Sequence, residues 1–435
     1  MITTRRRFLA TSAGAFAGFQ ILPSSAVGAN ERVNVAFIGA GGKGMHAIRS
    51  LAENKMVNFT AFADVDERRT AEARKTHPDI PFHKDFRVML EKQAKDIDAV
   101  IISTPDHTHH YIAKWSMKAG KHVYVEKPLT HSIAEARALM ALEKQTGLAC
   151  QMGNQGHSGS GIVLLEEWNK AGLLGEVTEA HAWSGAVWSN PDARPPEESV
   201  PAGLDWSQWL GPAAMTPYSS KYLPAQWRGW FEFGCGTLGD WACHNMDAPY
   251  AVWALDCPSK VEIECSGPSR LSFPKTARIV FTFPATAGRG EFKLHWYHGP
   301  GNALPRPPEL EAEKTLPDGG TLIRGTKATV LMNTHASSPR VIPELKMREL
   351  AGSLPKVNLK RSQHYDNWLL AIKGQETCRS NFAYGGRLTE TMHFGNIALH
   401  LNRNLTIDPA ARTIVGDAEA TALMAGPPPR EGWSV

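Results

Sequence analysis

Three groups of residues in this chain of 435 have the types and spacing to do chemistry. The first is Gly39-Ala-Gly41-Gly42-Lys43-Gly44, directly after the apolar run Val-Asn-Val-Ala-Phe-Ile at 33–38. In such a fingerprint Gly39 permits the tight turn, Gly41 lets the backbone approach a pyrophosphate, and Gly44 lets the next helix pack on the strand. The amides of that helix's first turn, beside Gly42 and Lys43, then face the phosphates. The second group is Asp64, which ends the β-rich run 57–63 where a carboxylate can accept hydrogen bonds from the adenosine ribose. That placement favours NAD, because a 2′-phosphate would meet a like charge. Lys43, Arg68 and Arg69 could embrace such a phosphate, so NADP stays open. The third is Glu126-Lys127-Pro128, which sets an ammonium at the edge of the same cleft.

The elements that must position these residues alternate. Strands are predicted over 33–38, 57–63, 98–103, 122–125 and 148–152, with helices over 108–118 and 132–146. Strand-helix alternation of this kind predicts a parallel, doubly wound Rossmann sheet over 32–152, with ligands at the carboxyl ends of the strands. Thr104-Pro105 and Glu126-Lys127 fall at such ends. From 153 to 435 the texture changes: runs at 177–187, 260–265, 277–283, 291–296 and 328–332 read as strands without intervening helices. They predict an α+β domain on a mostly antiparallel sheet, for substrate binding and oligomerisation. The stretch 191–226 is rich in Pro, Trp and Ser and reads as a long functional loop. Residues 309–318 read as a solvated loop, 362–372 and 389–402 as helices, and the tail after Asp408 carries little signal.

Thr4-Arg5-Arg6-Arg7-Phe8-Leu9 and the Ala/Gly-rich stretch to Leu22 resemble a twin-arginine export signal ending near residue 29, too short for a membrane span. The chain has 47 Lys+Arg against 43 Asp+Glu, and loss of the three arginines leaves 44 against 43. A protein so nearly neutral makes no electrostatic claim on nucleic acid or anionic membrane. Six cysteines form no metal-type pair, although Cys257 and Cys265 could oxidise after export. Asp106, His107, His109 and His110 are dense in potential ligands, but groups so crowded rarely converge on one ion, and no metal is expected. His109 is read as a cleft residue.

The fingerprint, the Thr-Pro-Asp-x-x-His run ending at His109, the Glu-Lys-Pro triplet and an Asp-x-x-x-His pair at Asp240 and His244 together resemble the glucose-fructose oxidoreductase, inositol dehydrogenase and MocA family. The motifs run in the family's order over nearly the whole chain after the signal, and some resemble an exported bacterial subgroup. The resemblance implies hydride transfer between a sugar carbinol and a nicotinamide. Such chemistry needs the alcohol proton removed and the oxyanion stabilised. His244, as a neutral imidazole, is the natural base. Asp240, one helical turn earlier, can orient that ring or bind a second hydroxyl, and Lys127 would donate to the reacting oxygen. The family gives these three positions the same broad roles.

Asn154, Gln155 and His157 are plausible contacts to sugar hydroxyls; equally, they form a polar turn before a helix capped through Ser158. Eight of the 13 tryptophans lie between Trp183 and Trp253. Aromatic faces suit pyranose C–H faces, and Trp227 and Trp230 stand just ahead of the catalytic helix. A periplasmic or otherwise exported dehydrogenase meets no pool of free NAD(H), so its cofactor must stay tightly bound and be regenerated in place. Oxidation of one carbohydrate coupled to reduction of a second carbonyl compound satisfies that condition. So does a redox-neutral glycosidase that works by transient oxidation and elimination. A non-catalytic sugar-binding protein is the third reading, and the family implies a homo-oligomer, a dimer or tetramer.

Overall fold

Contiguous β-branched and aromatic runs build the first sheet: β1 (Val33–Ile38), β2 (Val57–Ala63), β3 (Phe82–His83), β4 (Ala99–Ile102), β5 (His122–Val125) and β6 (Cys150–Met152). They pair in parallel in the order β3-β2-β1-β4-β5-β6. The order reverses between β1 and β4, and a crevice opens there beyond the carboxyl ends of the strands. Nearly every residue of β1, β4 and β5 is buried, as expected of strands covered on both faces. The computed structural model describes residues 31–434 except 268 and 302, so the twin-arginine segment lies outside the described residues.

The second sheet comprises β7 (Val177–Ser184), β8 (Lys260–Cys265), β9 (Ala277–Phe283), β10 (Phe292–His298), β11 (Gly319–Gly325), β12 (Thr329–Asn333), β13 (Ser337–Ile342), β14 (Leu405–Asp408) and β15 (Thr413–Val415). Its order is β13-β12-β11-β7-β10-β9-β8-β14-β15. Every pairing is antiparallel except β7 with β10, which matches the mostly antiparallel sheet expected. Alternation divides its faces. Ala180, Ala182, Ile279, Phe281, Leu294 and Trp296 enter the main core with residues of the Gly236–Asn245 and Phe382–Leu401 helices. Glu179, His181, His295 and Arg324 stand on the opposite face.

Several expectations need correction. The strand from Val177 stops at Ser184, not 187, and the helix expected from Thr389 begins at Phe382. Asn381 caps that helix by accepting from the Tyr384 N–H. It packs closely on the Ile133–Thr146 helix at Gly386, where a Cβ would come within 2.6 Å of Met140, and on β6 at Gly385, where a Cβ would come within 2.9 Å of Met152. The tail is structured, supplying β15 and the Ala418–Leu423 helix. The 309–318 loop is largely exposed but anchored: Leu310 is buried, and Glu311 accepts from the Glu344 N–H and pairs with Arg340. The His364–Ile372 helix returns to the first sheet, where Trp368, Leu369 and Ile372 join Val33, Phe37 and Tyr124. Cys257 and Cys265 are free thiols, as are the other four cysteines. No helix among the described residues is long and apolar enough to cross a membrane.

Candidate active site

The crevice beyond β1 and β4 is a cleft of about 520 Å³ that joins the glycine loop to the second domain. At the loop end only glycine fits. A Cβ on Gly39 would lie 2.6 Å from Ser103 O, and one on Gly44 would lie 1.7 Å from Gly39 O. The Lys43–Leu51 helix therefore starts against β1, its N-cap Gly42 providing no side-chain cap. That open first turn, with Lys43 on it, fits the pyrophosphate of a dinucleotide. Asp64 lines the cleft at the end of β2, its carboxylate accepting from the Gly41 and Asp66 N–H groups at 3.0 and 2.9 Å. Burial pushes that carboxyl above its ordinary value. Arg69 reaches across the loop, its guanidinium 2.9 Å from where a Cβ on Gly42 would stand. These residues fit a dinucleotide.

The middle of the cleft is set by the turn after β5. Glu126 is buried, with Gln155 donating to Oε1 at 3.2 Å and Lys43 Nζ at 3.7 Å. Burial raises its carboxyl against the pull of Lys43 and Lys127. Lys127 reaches across to the second domain, where Nζ donates to Asp240 O at 2.6 Å and to Asp240 Oδ1 at 2.5 Å. Burial alone would lower the ammonium's pKa, but the charge and hydrogen bond of Asp240 outweigh it and the net shift is upward. Burial would likewise raise Asp240. The positive charges of Lys127 and Arg228, with hydrogen bonds from Lys127 and Trp188, hold it far below the usual carboxylate range.

Asp240 and His244 sit one turn apart on the Gly236–Asn245 helix, as their spacing implied. The expectation that Asp240 orients the imidazole is not met. Its carboxylate is occupied by Lys127, by Arg228 Nε at 3.2 Å and by Trp188 Nε1 at 2.6 Å, and His244 Nδ1 has no partner. The buried ammonium needs its counter-charge more than a neutral ring needs a guide. Burial, then the charges of Lys127 and His335, drive the His244 pKa well below its ordinary value, so the ring is neutral near pH 7. His335 covers it, ring centroids 4.0 Å apart, from a turn in which His335, Ala336 and Ser338 all have positive φ.

The remaining expected site residues divide. Gly39, Gly41, Gly42, Lys43, Thr104, Pro105, Gln155 and Trp227 line the cleft. His109 stands behind it, its two ring nitrogens 2.8 Å from Pro128 O and from Thr104 O, so that its N–H bonds one of the two strand-end turns. The His107 ring nitrogens lie 3.1 Å from Phe233 O and from Trp209 O, one of which the neutral ring's N–H can bond, and Asp106 accepts from the Cys235 N–H at the start of the Gly236–Asn245 helix. Asn154 is fully buried with its amide unpaired, and His157 bonds Asp247 at 2.9 Å; neither lines the cleft. Trp230 belongs to the aromatic core of the 191–233 segment with Trp206, Trp209, Tyr222 and Phe233, because its indole is needed to fill that cluster. Sequence reasoning missed Arg228, Trp188 and His335. Trp188 lay within the tryptophan-rich stretch and Arg228 beside Trp227, whereas His335 carried no signal.

A family model described as an oxidoreductase family with an NAD-binding Rossmann fold matches residues 33–154, and its companion, the C-terminal alpha/beta domain, matches 169–284. A glycosyl hydrolase family 109 protein of Solibacter usitatus (strain Ellin6076) is 30% identical over 164 residues, 35% of this chain and 37% of that protein. The chain thus matches little more than a third of the length of such curated relatives. Among solved structures, the WlbA dehydrogenase from Bordetella pertussis in complex with NADH and UDP-GlcNAcA shares the fold at a TM-score of 0.60. Its identity is 14%, over 87% of this chain and 99% of that one. The aldose-aldose oxidoreductase from Caulobacter crescentus complexed with glycerol superposes at 0.57 with 14% identity, over 87% and 100%.

Proposed function

Since the chain belongs to the Gfo/Idh/MocA oxidoreductase family, we propose that it is a nicotinamide-dependent oxidoreductase acting on a CH–OH group of a sugar, polyol or glycoside. The observation that carries this reading is the Lys127–Asp240 pair at 2.5 Å, with neutral His244 in the same cleft as the glycine loop. When bound, NAD, or NADP in its place, supplies the two-electron acceptor for the substrate carbon. Lys127 spends two of its three N–H bonds on Asp240 and offers the third to the substrate oxygen. Asp240 keeps that ammonium charged and aimed. The neutral imidazole of His244 takes the hydroxyl proton. Trp227 borders the cleft, but most of its ring is packed in the aromatic core and under Arg228, and His335 covers His244.

The amino-terminal motif supports export to the periplasm, where the cofactor must remain bound between turnovers. A second reading is a glycosidase in which the same groups run transient oxidation and elimination, favoured by the glycosyl hydrolase family 109 relatives. Purifying the protein without added cofactor, denaturing it and identifying any released nucleotide by mass spectrometry tests both readings. Stoichiometric NAD or NADP is expected. An empty protein that also fails to bind added dinucleotide overturns them.

A further inference from the structure

Resting on the reading of this cleft as a carbohydrate site, we infer that Arg228 reads a carboxylate on the substrate, so that the substrate class is a uronic acid or its glycoside. Arg228 lies in the short turn Gln226–Gly229 and lines the same cleft as Lys127, His244 and Trp227. Its guanidinium is fixed in three ways. Nε donates to Asp240 Oδ1 at 3.2 Å, and the cation lies 4.2 Å from the Trp227 ring centroid and 5.4 Å from that of Trp188. Among the described residues Nε is the nitrogen with a protein acceptor, which leaves the Nη1 and Nη2 fork to the cleft.

That arrangement does more than neutralise Asp240. Lys127 already supplies a full counter-charge at 2.5 Å, so a second cation is not needed to keep the carboxylate ionised. Asp106, the other carboxyl in the field of Arg228, makes no ion pair with it and is occupied by the Cys235 N–H; burial pushes it up to about 6. A planar fork held by aromatic contacts, with two parallel N–H donors free, matches the two oxygens of a carboxylate and is poorly used by a single hydroxyl. The side chain is 25% exposed and lines the cleft. A uronate with its carboxylate on Arg228 would lie in the same cleft as Lys127 and His244.

The test is calorimetric titration of the dinucleotide-loaded protein with three matched pairs: methyl glycosides of gluco-, galacto- and manno-configured uronates and of the corresponding neutral hexoses. In at least one pair the uronate is expected to bind about tenfold or more tightly than its neutral partner. Arg228→Gln and Arg228→Lys should bring that ratio to within about threefold of unity, the lysine because it keeps the charge but loses the fork. Thermal midpoints identify a variant that has unfolded, and the lysine variant then carries the test. No uronate preference in the wild type, a preference that survives both substitutions, or tighter binding of glucose 6-phosphate than of any uronate overturns the inference. Absorbance at 340 nm in the same samples reports separately on the dehydrogenase reading. A uronate preference without reduction sinks that reading alone; reduction without preference sinks the carboxylate alone.

Discussion

Replacing Asp240 by Asn keeps the shape of the side chain and removes its charge, leaving Lys127 and Arg228 facing each other in a buried site without a counterion. The cost of breaking a buried pair from one side is roughly 3–5 kcal/mol. Because three donors converge on this carboxylate, the upper half of that range is expected at pH 7. The sign with pH follows from the two shifts. In the wild type Lys127 lies above its unfolded value, so its contribution is complete below about pH 10 and fades as pH rises through the folded pKa. Asp240 lies below its unfolded value, so its contribution is present above about pH 4 and fades on acidification. In Asp240→Asn the raising charge and side-chain hydrogen bond are gone, burial and the charge of Arg228 remain, and the Lys127 pKa falls. The deficit against wild type should then be largest near neutrality and shrink toward pH 10. Urea unfolding from pH 6 to 10 measures this. The alkaline limb of the pH–rate profile should move down as well, since Lys127 loses its proton sooner. In the double variant Lys127→Met/Asp240→Asn much of the stability should return while turnover does not. An Asp240→Asn protein within about 1 kcal/mol of wild type across that range, with an unmoved alkaline limb, refutes the pairing argument.

Other perturbations probe the same cleft. Gly44→Ala places a Cβ where Gly39 O stands 1.7 Å away; moving the helix off β1 should cost roughly 1–3 kcal/mol and weaken dinucleotide binding measured by calorimetry. Unchanged affinity contradicts the close-approach account. Asp64→Ala removes the acceptor of the Gly41 and Asp66 amides and should weaken NAD binding about tenfold, at a cost of roughly 1–3 kcal/mol. If NADP is the native cofactor, its affinity holds or rises instead. The His244 pKa is driven down by burial, so the acid limb of kcat/KM should lie below pH 6.5 in wild type. A limb at pH 7 or above argues for another base.

The cofactor half was legible because strands buried on both faces leave contiguous apolar runs and because glycine at a forbidden Cβ position cannot be replaced. The second sheet was read in part. β11 begins with Gly319-Gly320, which looks like a turn, yet Gly320 is there because a Cβ would meet Met332 O at 2.4 Å and the Trp183 ring at 3.1 Å. β14 and β15 are four and three residues long, too short to show a period. In the site, the i, i+4 spacing of Asp240 and His244 placed them correctly on one helix. Spacing along that helix could not show that the carboxylate would be claimed by an ammonium 113 residues earlier in the chain. His335 arrives from a turn whose left-handed backbone no residue type in Asn333-Thr-His-Ala-Ser-Ser announces, and only the fold brings it over His244. Trp230 shows the converse: position suggested a ligand contact, and packing demand put the indole in the core.

Rapid mixing of the NAD-loaded protein with the uronate and hexose panel, followed by absorbance at 340 nm, tests whether Lys127 and His244 serve a carbinol beside a dinucleotide. Wild type should show a rise equivalent to one reduced cofactor per active site, and Lys127→Ala and His244→Ala should retain the dinucleotide and stay flat. A wild type that stays flat across the panel, or variants that reduce the cofactor at the wild-type rate, contradicts the account.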